Sequence, residues 1–126
     1  MAKLTKLELR VMEALWTLGR SSVRELQQFF PEKSRPAYTT VQTIVYRLEA
    51  KKAVRRAKKI SNAHIFEATV SRKLAHRGLI DEFLVVFDGR VQPLMARLVE
   101  TGKLTLEDVQ EAERLLQSLA KKKEQK

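Results

Sequence analysis

Residues Arg35 to Thr69, RPAYTTVQTIVYRLEAKKAVRRAKKISNAHIFEAT, decide how the rest of the chain is read. At 3.6 residues per turn, Val41, Ile44, Val45 and Leu48 share one face, Thr39, Thr43, Tyr46 and Arg47 lie opposite, and Thr40 and Gln42 flank them. The spacing predicts a helix over 37–52 that packs by one face and presents the other. The free face carries hydroxyls, one amide and one guanidinium, with no carboxylate before Glu49. Such groups reach base edges and phosphates. Solvated helix faces are usually rich in Glu and Lys, whereas threonine is a mediocre helix former, so its presence on two turns favours contact over solubility. Beyond the helix, a basic run with β-compatible residues and a Ser61-Asn62 turn reads as a two-stranded ribbon. A groove-entering helix followed by a basic hairpin is a winged helix, so the expected fold is mainly α with a small β wing.

Working outward, Thr5 to Glu8 and Ser22 to Glu25 both have capping-box spacing, in which the hydroxyl and the carboxylate satisfy each other's backbone N–H groups at a helix start. From the first, Leu7, Val11, Ala14, Leu15 and Leu18 recur at helical spacing beside Trp16, and Gly19 suits a left-handed C-terminal residue. The second opens a shorter helix, Val23 to Phe30, with Val23, Leu26, Phe29 and Phe30 facing inward and Pro31 stopping it. Pro36 is expected in the first turn of the third helix. Trp16, Phe29, Phe30 and Phe66 are expected in the core, with a place facing the partner copy as the alternative for Trp16.

Composition narrows the partner. The chain has 126 residues, 44% of them hydrophobic, and a formal net charge of +10, so polyanions attract it. It has no cysteine, which excludes disulfides and thiolate metal sites, and its two histidines, His64 and His76, are too isolated for a ligand set. No metal or other cofactor is expected. Nothing at the start resembles a signal peptide and no run approaches a membrane span, so a cytoplasmic protein without membrane association is expected. Glu107, Asp108, Glu111 and Glu113 stand at a helix start, where the helix dipole favours negative charge, and serve structure better than acid–base chemistry. No catalytic constellation or phosphate loop is present, so an enzyme is not expected.

From Ser71 onward the pattern is helical. Leu74, Ile80, Phe83, Leu84 and Phe87 form one apolar stripe, interrupted by Gly78 and ended by Asp88-Gly89. Val91, Leu94, Met95, Leu98 and Val99 form a second, closing at Thr101-Gly102, and Val109, Ala112, Leu116 and Leu119 follow a cap signal at Thr105 before a lysine-rich end. About 50 residues seldom bury enough apolar area to stand alone, so these stripes are expected to pack against a second copy. The residues assigned to that homodimer are Ile80, Phe83, Leu84, Phe87, Val91, Leu94, Met95, Leu98, Val109, Leu116 and Leu119. The chain is thus expected to divide into a DNA-binding domain, 1–70, and a helical dimerisation region with a basic tail, 71–126.

Several of these stretches together resemble the penicillinase-repressor family of the BlaI/MecI type. They are Leu4-Thr5 with the Glu8–Trp16 helix, Tyr38-Thr-Thr-Val-Gln-Thr with Arg47-Leu48-Glu49, Lys51-Lys52, and Phe66-Glu-Ala-Thr-Val-Ser71. The resemblance spans nearly the whole chain and implies a bacterial homodimeric transcriptional repressor. It also implies release by proteolysis in the dimerisation region once a membrane sensor detects a β-lactam, and Met95 to Leu104 is where a cut would part the dimer-forming helices from the reader. Ala53 stands where the family usually has glycine, and a left-handed non-glycine residue costs about 1 kcal/mol, so a different turn into the wing is expected. The cysteine pairs of copper-responsive relatives are absent.

The candidate DNA contacts follow from position. Thr39, Gln42 and Thr43 would lie nearest the bases, Tyr38 and Thr40 would donate to phosphate, and Arg47 would meet phosphate or guanine, with Tyr46 beside them. Arg55, Arg56, Lys58 and Lys59 of the wing are expected on phosphates. The expected partner is a double-stranded inverted-repeat operator, with a protease or sensor pathway behind release. The alternatives are a basic RNA-binding protein, which would stack more exposed aromatics than Tyr38 and Tyr46 on unpaired bases, and a protein-interaction adaptor, which would need neither the threonines nor the basic wing.

Overall fold

A computed structural model describes residues 3–124. The order is α1 (Lys6–Leu18), α2 (Val23–Phe29), a 3₁₀ turn (Glu32–Ser34), α3 (Tyr38–Ala50), β1 (Val54–Ile60), β2 (Ala63–Ala68), α4 (Arg72–Val85), α5 (Val91–Glu100) and α6 (Leu106–Glu124). This is the expected mainly α winged-helix fold. The first two residues and Gln125 and Lys126, the end of the lysine-rich tail, lie outside the described residues. Two compact units divide the chain, one reaching Leu79 and the other starting at Ile80.

In the first unit, α1, α2 and α3 enclose a core to which α3 contributes Val41, Ile44, Val45 and Leu48, all buried. Both capping boxes are closed, Thr5 with Glu8 and Ser22 with Glu25. The inward faces differ from the spacing in detail. Met12 is fully buried while Leu18 is exposed, and Phe30 is buried while Phe29 is 43% exposed. Phe29 ends α2 and Phe30 already has extended backbone, so the chain turns between them and only one ring reaches the core. Gly19 does cap α1, with φ 81°, but its ψ of −155° is not left-handed helix.

The reading helix is shorter than 37–52. Ala37 is its N-cap and Lys51 its C-cap, and Lys52 leaves it with φ 63°. Pro36 precedes the cap instead of filling the first turn. The departure at Lys52 also answers the question raised by Ala53. The left-handed residue is Lys52, whose side chain points to solvent, and Ala53 is buried in the core, where a small side chain fits.

β1 and β2 pair antiparallel, Val54 opposite Ala68 through Arg56 opposite Phe66, then Lys58 opposite Ile65 through Ile60 opposite Ala63. The register slips at Ala57, a one-residue bulge that adds local twist. Ser21 makes both backbone hydrogen bonds to Phe66, 3.0 and 2.8 Å, so the α1–α2 connection borders the ribbon as a one-residue strand. Beyond the wing, Ser71 caps α4 through the N–H of Leu74. Trp16 donates its indole N–H to the Val70 carbonyl, and Glu13 of α1 receives Arg72 and His76 of α4.

From Ile80 to Glu124 no residue is buried. The cap at Thr105 is closed by Asp108, and the Phe83 and Phe87 rings sit 5.6 Å apart. Otherwise the apolar stripes face outward: Ile80, Phe83, Val91, Met95, Val109, Leu116 and Leu119 are all exposed, and Leu84, Phe87, Leu94 and Leu98 are half-buried.

Candidate nucleic-acid interface

The N-terminal end of α3 is built by its neighbours. Gln27 of α2 donates its amide to the Pro36 carbonyl at 3.1 Å. Arg35 donates to the carbonyls of Phe30 and Gln28, satisfying the end of α2 with a cation placed where the dipole favours one. Arg24 lies 4.8 Å over the Tyr38 ring. Ala37 offers no side-chain cap, so the first-turn N–H groups of α3 face outward without a side-chain acceptor. Spacing on α3 alone gives no sign of Arg24, Gln27 or Arg35, because each acts on α3 from a neighbouring segment.

On α3 itself, Thr39, Thr40, Thr43, Tyr46 and Arg47 are exposed, and Tyr38 and Gln42 are half-buried. A shallow groove runs between α1 and α3, lined by Leu7, Thr39, Thr40, Thr43, Ile44 and Arg47. The Thr43 hydroxyl donates to the Thr39 carbonyl at 2.9 Å, which leaves its oxygen free to accept. Arg47 has no carboxylate partner among the described residues.

The four wing cations fall into two kinds. Arg55 donates to Glu67 at 2.7 Å, and Arg20 from the α1–α2 turn donates to the other oxygen of the same carboxylate at 2.9 Å. Those hydrogen bonds, from Arg55 first and then Arg20, hold the Glu67 carboxyl below its usual range. Arg56 is bound to Glu49 of α3. Lys58 and Lys59, past the bulge, are exposed and have no ion-pair partner among the described residues.

A third charge pair lies behind the helix. Lys51, at the C-cap of α3, places Nζ 2.6 Å from Glu8 Oε1 and 2.8 Å from the Lys3 carbonyl. Glu8 is fully buried. Burial pushes its carboxyl up, but the hydrogen bonds from Lys51 and Thr5 outweigh that and hold it below its usual value.

An exposed third helix bearing threonine, glutamine and arginine, joined to a hairpin with free lysines, defines a winged-helix DNA-binding protein. The sequence profile of the penicillinase repressor family matches residues 4–118, so the chain belongs to that family of DNA-binding transcriptional repressors. No curated protein matches it in sequence.

Several solved structures are similar to it. One is Bordetella bronchiseptica BpsR, studied for regulation of its DNA binding by 6-hydroxynicotinic acid, at 20% identity over 94% of this chain and 80% of that one, TM-score 0.48. A MarR family protein from Bacillus stearothermophilus is 23% identical over 96% and 76%, TM-score 0.47. The adhesin competence repressor AdcR of Streptococcus pyogenes is 18% identical over 95% and 82%, TM-score 0.46.

Proposed function

We propose that the protein is a homodimeric repressor that occupies an inverted-repeat operator, one α3 per half-site, and silences a promoter by excluding polymerase from it. The observation that carries this reading is the exposed face of α3, where Thr39, Thr40, Thr43 and Arg47 surround an open groove. Thr39, Gln42 and Thr43 read base edges, Tyr38 and Thr40 hold phosphates beside the helix N-terminus, and Arg47 meets phosphate or guanine with Tyr46 next to it. Lys58 and Lys59 supply phosphate contacts from the wing, with Arg55 a weaker contributor because Glu67 shares its charge.

Residues 1–70 form the DNA-binding part in this reading, and residues 71–126 join two copies through the outward apolar stripes of the helices from α4 to α6. Two-fold symmetry of the dimer then sets two half-sites ~10 bp apart, or a multiple of it. Release by proteolysis is assigned to Met95–Leu104, where the end of α5 runs into the exposed Thr101-Gly102 turn. A cut there detaches α6 from the reader and weakens dimerisation. Such a repressor works in the bacterial cytoplasm, with a protease or sensor pathway acting on it.

The test is selection of bound duplexes from a random DNA pool at about 150 mM salt, where the Debye length is ~8 Å and loose charge attraction is damped. Enrichment of an inverted repeat is expected. Recovery of unenriched DNA would remove the operator reading.

A further inference from the structure

We propose that Arg56 is a positioning residue, which locks the wing to the reading helix and does not contact phosphate; this rests on the DNA-binding reading above. Its guanidinium grips Glu49, in the last turn of α3, along one edge, Nε to Oε2 at 2.9 Å and Nη2 to Oε1 at 3.4 Å. From the other side, Nη1 lies 3.1 Å from His64 Nε2 on β2. A guanidinium only donates, so in this contact the ring nitrogen is on the accepting side. The guanidinium carbon also stands 5.7 Å from the ring centres of Tyr46 on α3 and Phe66 on β2. One side chain thus joins α3, β1 and β2.

Two further facts separate Arg56 from its basic neighbours. It sits opposite Phe66, one residue before the bulge at Ala57, whereas Lys58 and Lys59 follow that bulge, past the slip in register. Glu49 is also the sole carboxylate on α3. An Arg56 that swung out to phosphate would leave that carboxylate unneutralised beside DNA and repel the ligand it was meant to bind. Kept in place, it neutralises Glu49 and holds the wing at one angle to α3. Both side chains are partly exposed, 42% and 33%, and pairs of that kind add little to global stability, so positioning is the role left to it.

The experiment has two arms, both on the full chain. In the absence of DNA, NMR relaxation of the backbone amides of residues 54–68 is compared between the wild type and Arg56→Gln; the wing is expected to become mobile on the nanosecond scale in the variant. Unchanged relaxation overturns the proposal without any reference to DNA. In the second arm, affinity for the duplex recovered from the random pool is measured across salt. Arg56→Glu is expected to lose about tenfold or more by giving up preorganisation, and the double exchange Glu49→Arg with Arg56→Glu to recover most of it at the same net charge. The double variant Glu49→Gln with Arg56→Gln, which removes the pair at constant net charge, is expected to leave the slope of log affinity against log salt unchanged. A slope reduced by about 0.9, or a double exchange no better than Arg56→Glu alone, makes Arg56 a phosphate contact and overturns the proposal. A wild type that enriches no duplex refutes the operator reading instead, and the relaxation arm still decides the lock.

Discussion

Lys51 Nζ lies 2.6 Å from Glu8 Oε1, which binds the end of α3 to the first turn of α1. The carboxylate is inaccessible and its second oxygen has no hydrogen-bond partner, so its charge is compensated through one oxygen only. Removing one member of a buried pair leaves an uncompensated charge and costs about 3–5 kcal/mol. Lys51→Met keeps most of the stem and removes the ammonium. Its unfolding free energy from denaturant titration should fall by that amount, and a loss below about 1 kcal/mol would mean that water reaches Glu8.

The same pair sets acid sensitivity. The Glu8 carboxyl is held below its usual 4.5 in the folded protein. Over the interval between the two values the unfolded chain binds more protons, so stability rises with pH there. The contribution is complete above the unfolded value and is lost as pH falls through the folded one. Glu8→Gln should be less stable than the wild type at neutral pH and should lose less on acidification below 4.5. Parallel curves for the two proteins would assign the acid limb to other groups, Glu67 and Asp108 among them, whose carboxyls are also held low.

The sequence already contained what local chemistry dictates. Capping boxes at Thr5 and Ser22, and the apolar face Val41, Ile44, Val45, Leu48, follow from spacing because a helix places i, i+3 and i+4 together whatever lies around it. What spacing lacks is the identity of distant partners. Glu8 reads as a cap residue, and the cap is real, but the lysine 43 positions away that burial demands is invisible. Arg55 and Arg56 read as a basic run with Lys58 and Lys59, yet Glu67 and Glu49 separate the four into paired and free cations. Phe29 and Phe30 are adjacent, and only the turn that ends α2 decides which ring is buried.

The apolar side chains from Ile80 onward give the dimer reading its prediction. Leu116 and Leu119 are 68% and 58% exposed, so charging them leaves the fold of one copy nearly untouched. Buried between two copies, the same charges are unpaired and expensive. The double variant Leu116→Glu with Leu119→Glu should therefore halve the mass seen by light scattering at micromolar concentration and bring little change in helical circular dichroism. An unchanged dimer mass would move the interface off α6, and a wild type already at monomer mass would remove the dimer.

Lys58 and Lys59 carry the last prediction, because they are the wing cations with no carboxylate to leave. A cation that neutralises one phosphate releases condensed counterions and contributes about −0.9 to the slope of log affinity against log salt. Lys58→Gln with Lys59→Gln should flatten that slope by up to about 1.8 on operator and on unrelated duplex alike, since phosphate contacts carry no sequence information. Arg55→Gln should flatten it less, because Glu67 holds that guanidinium at 2.7 Å. Gln42→Ala should behave in the opposite way, narrowing the gap between operator and unrelated duplex while leaving the slope alone, since an amide that reads a base edge displaces no counterion. Loss of the slope with Gln42 and not with the lysines would reverse the division of labour between α3 and the wing.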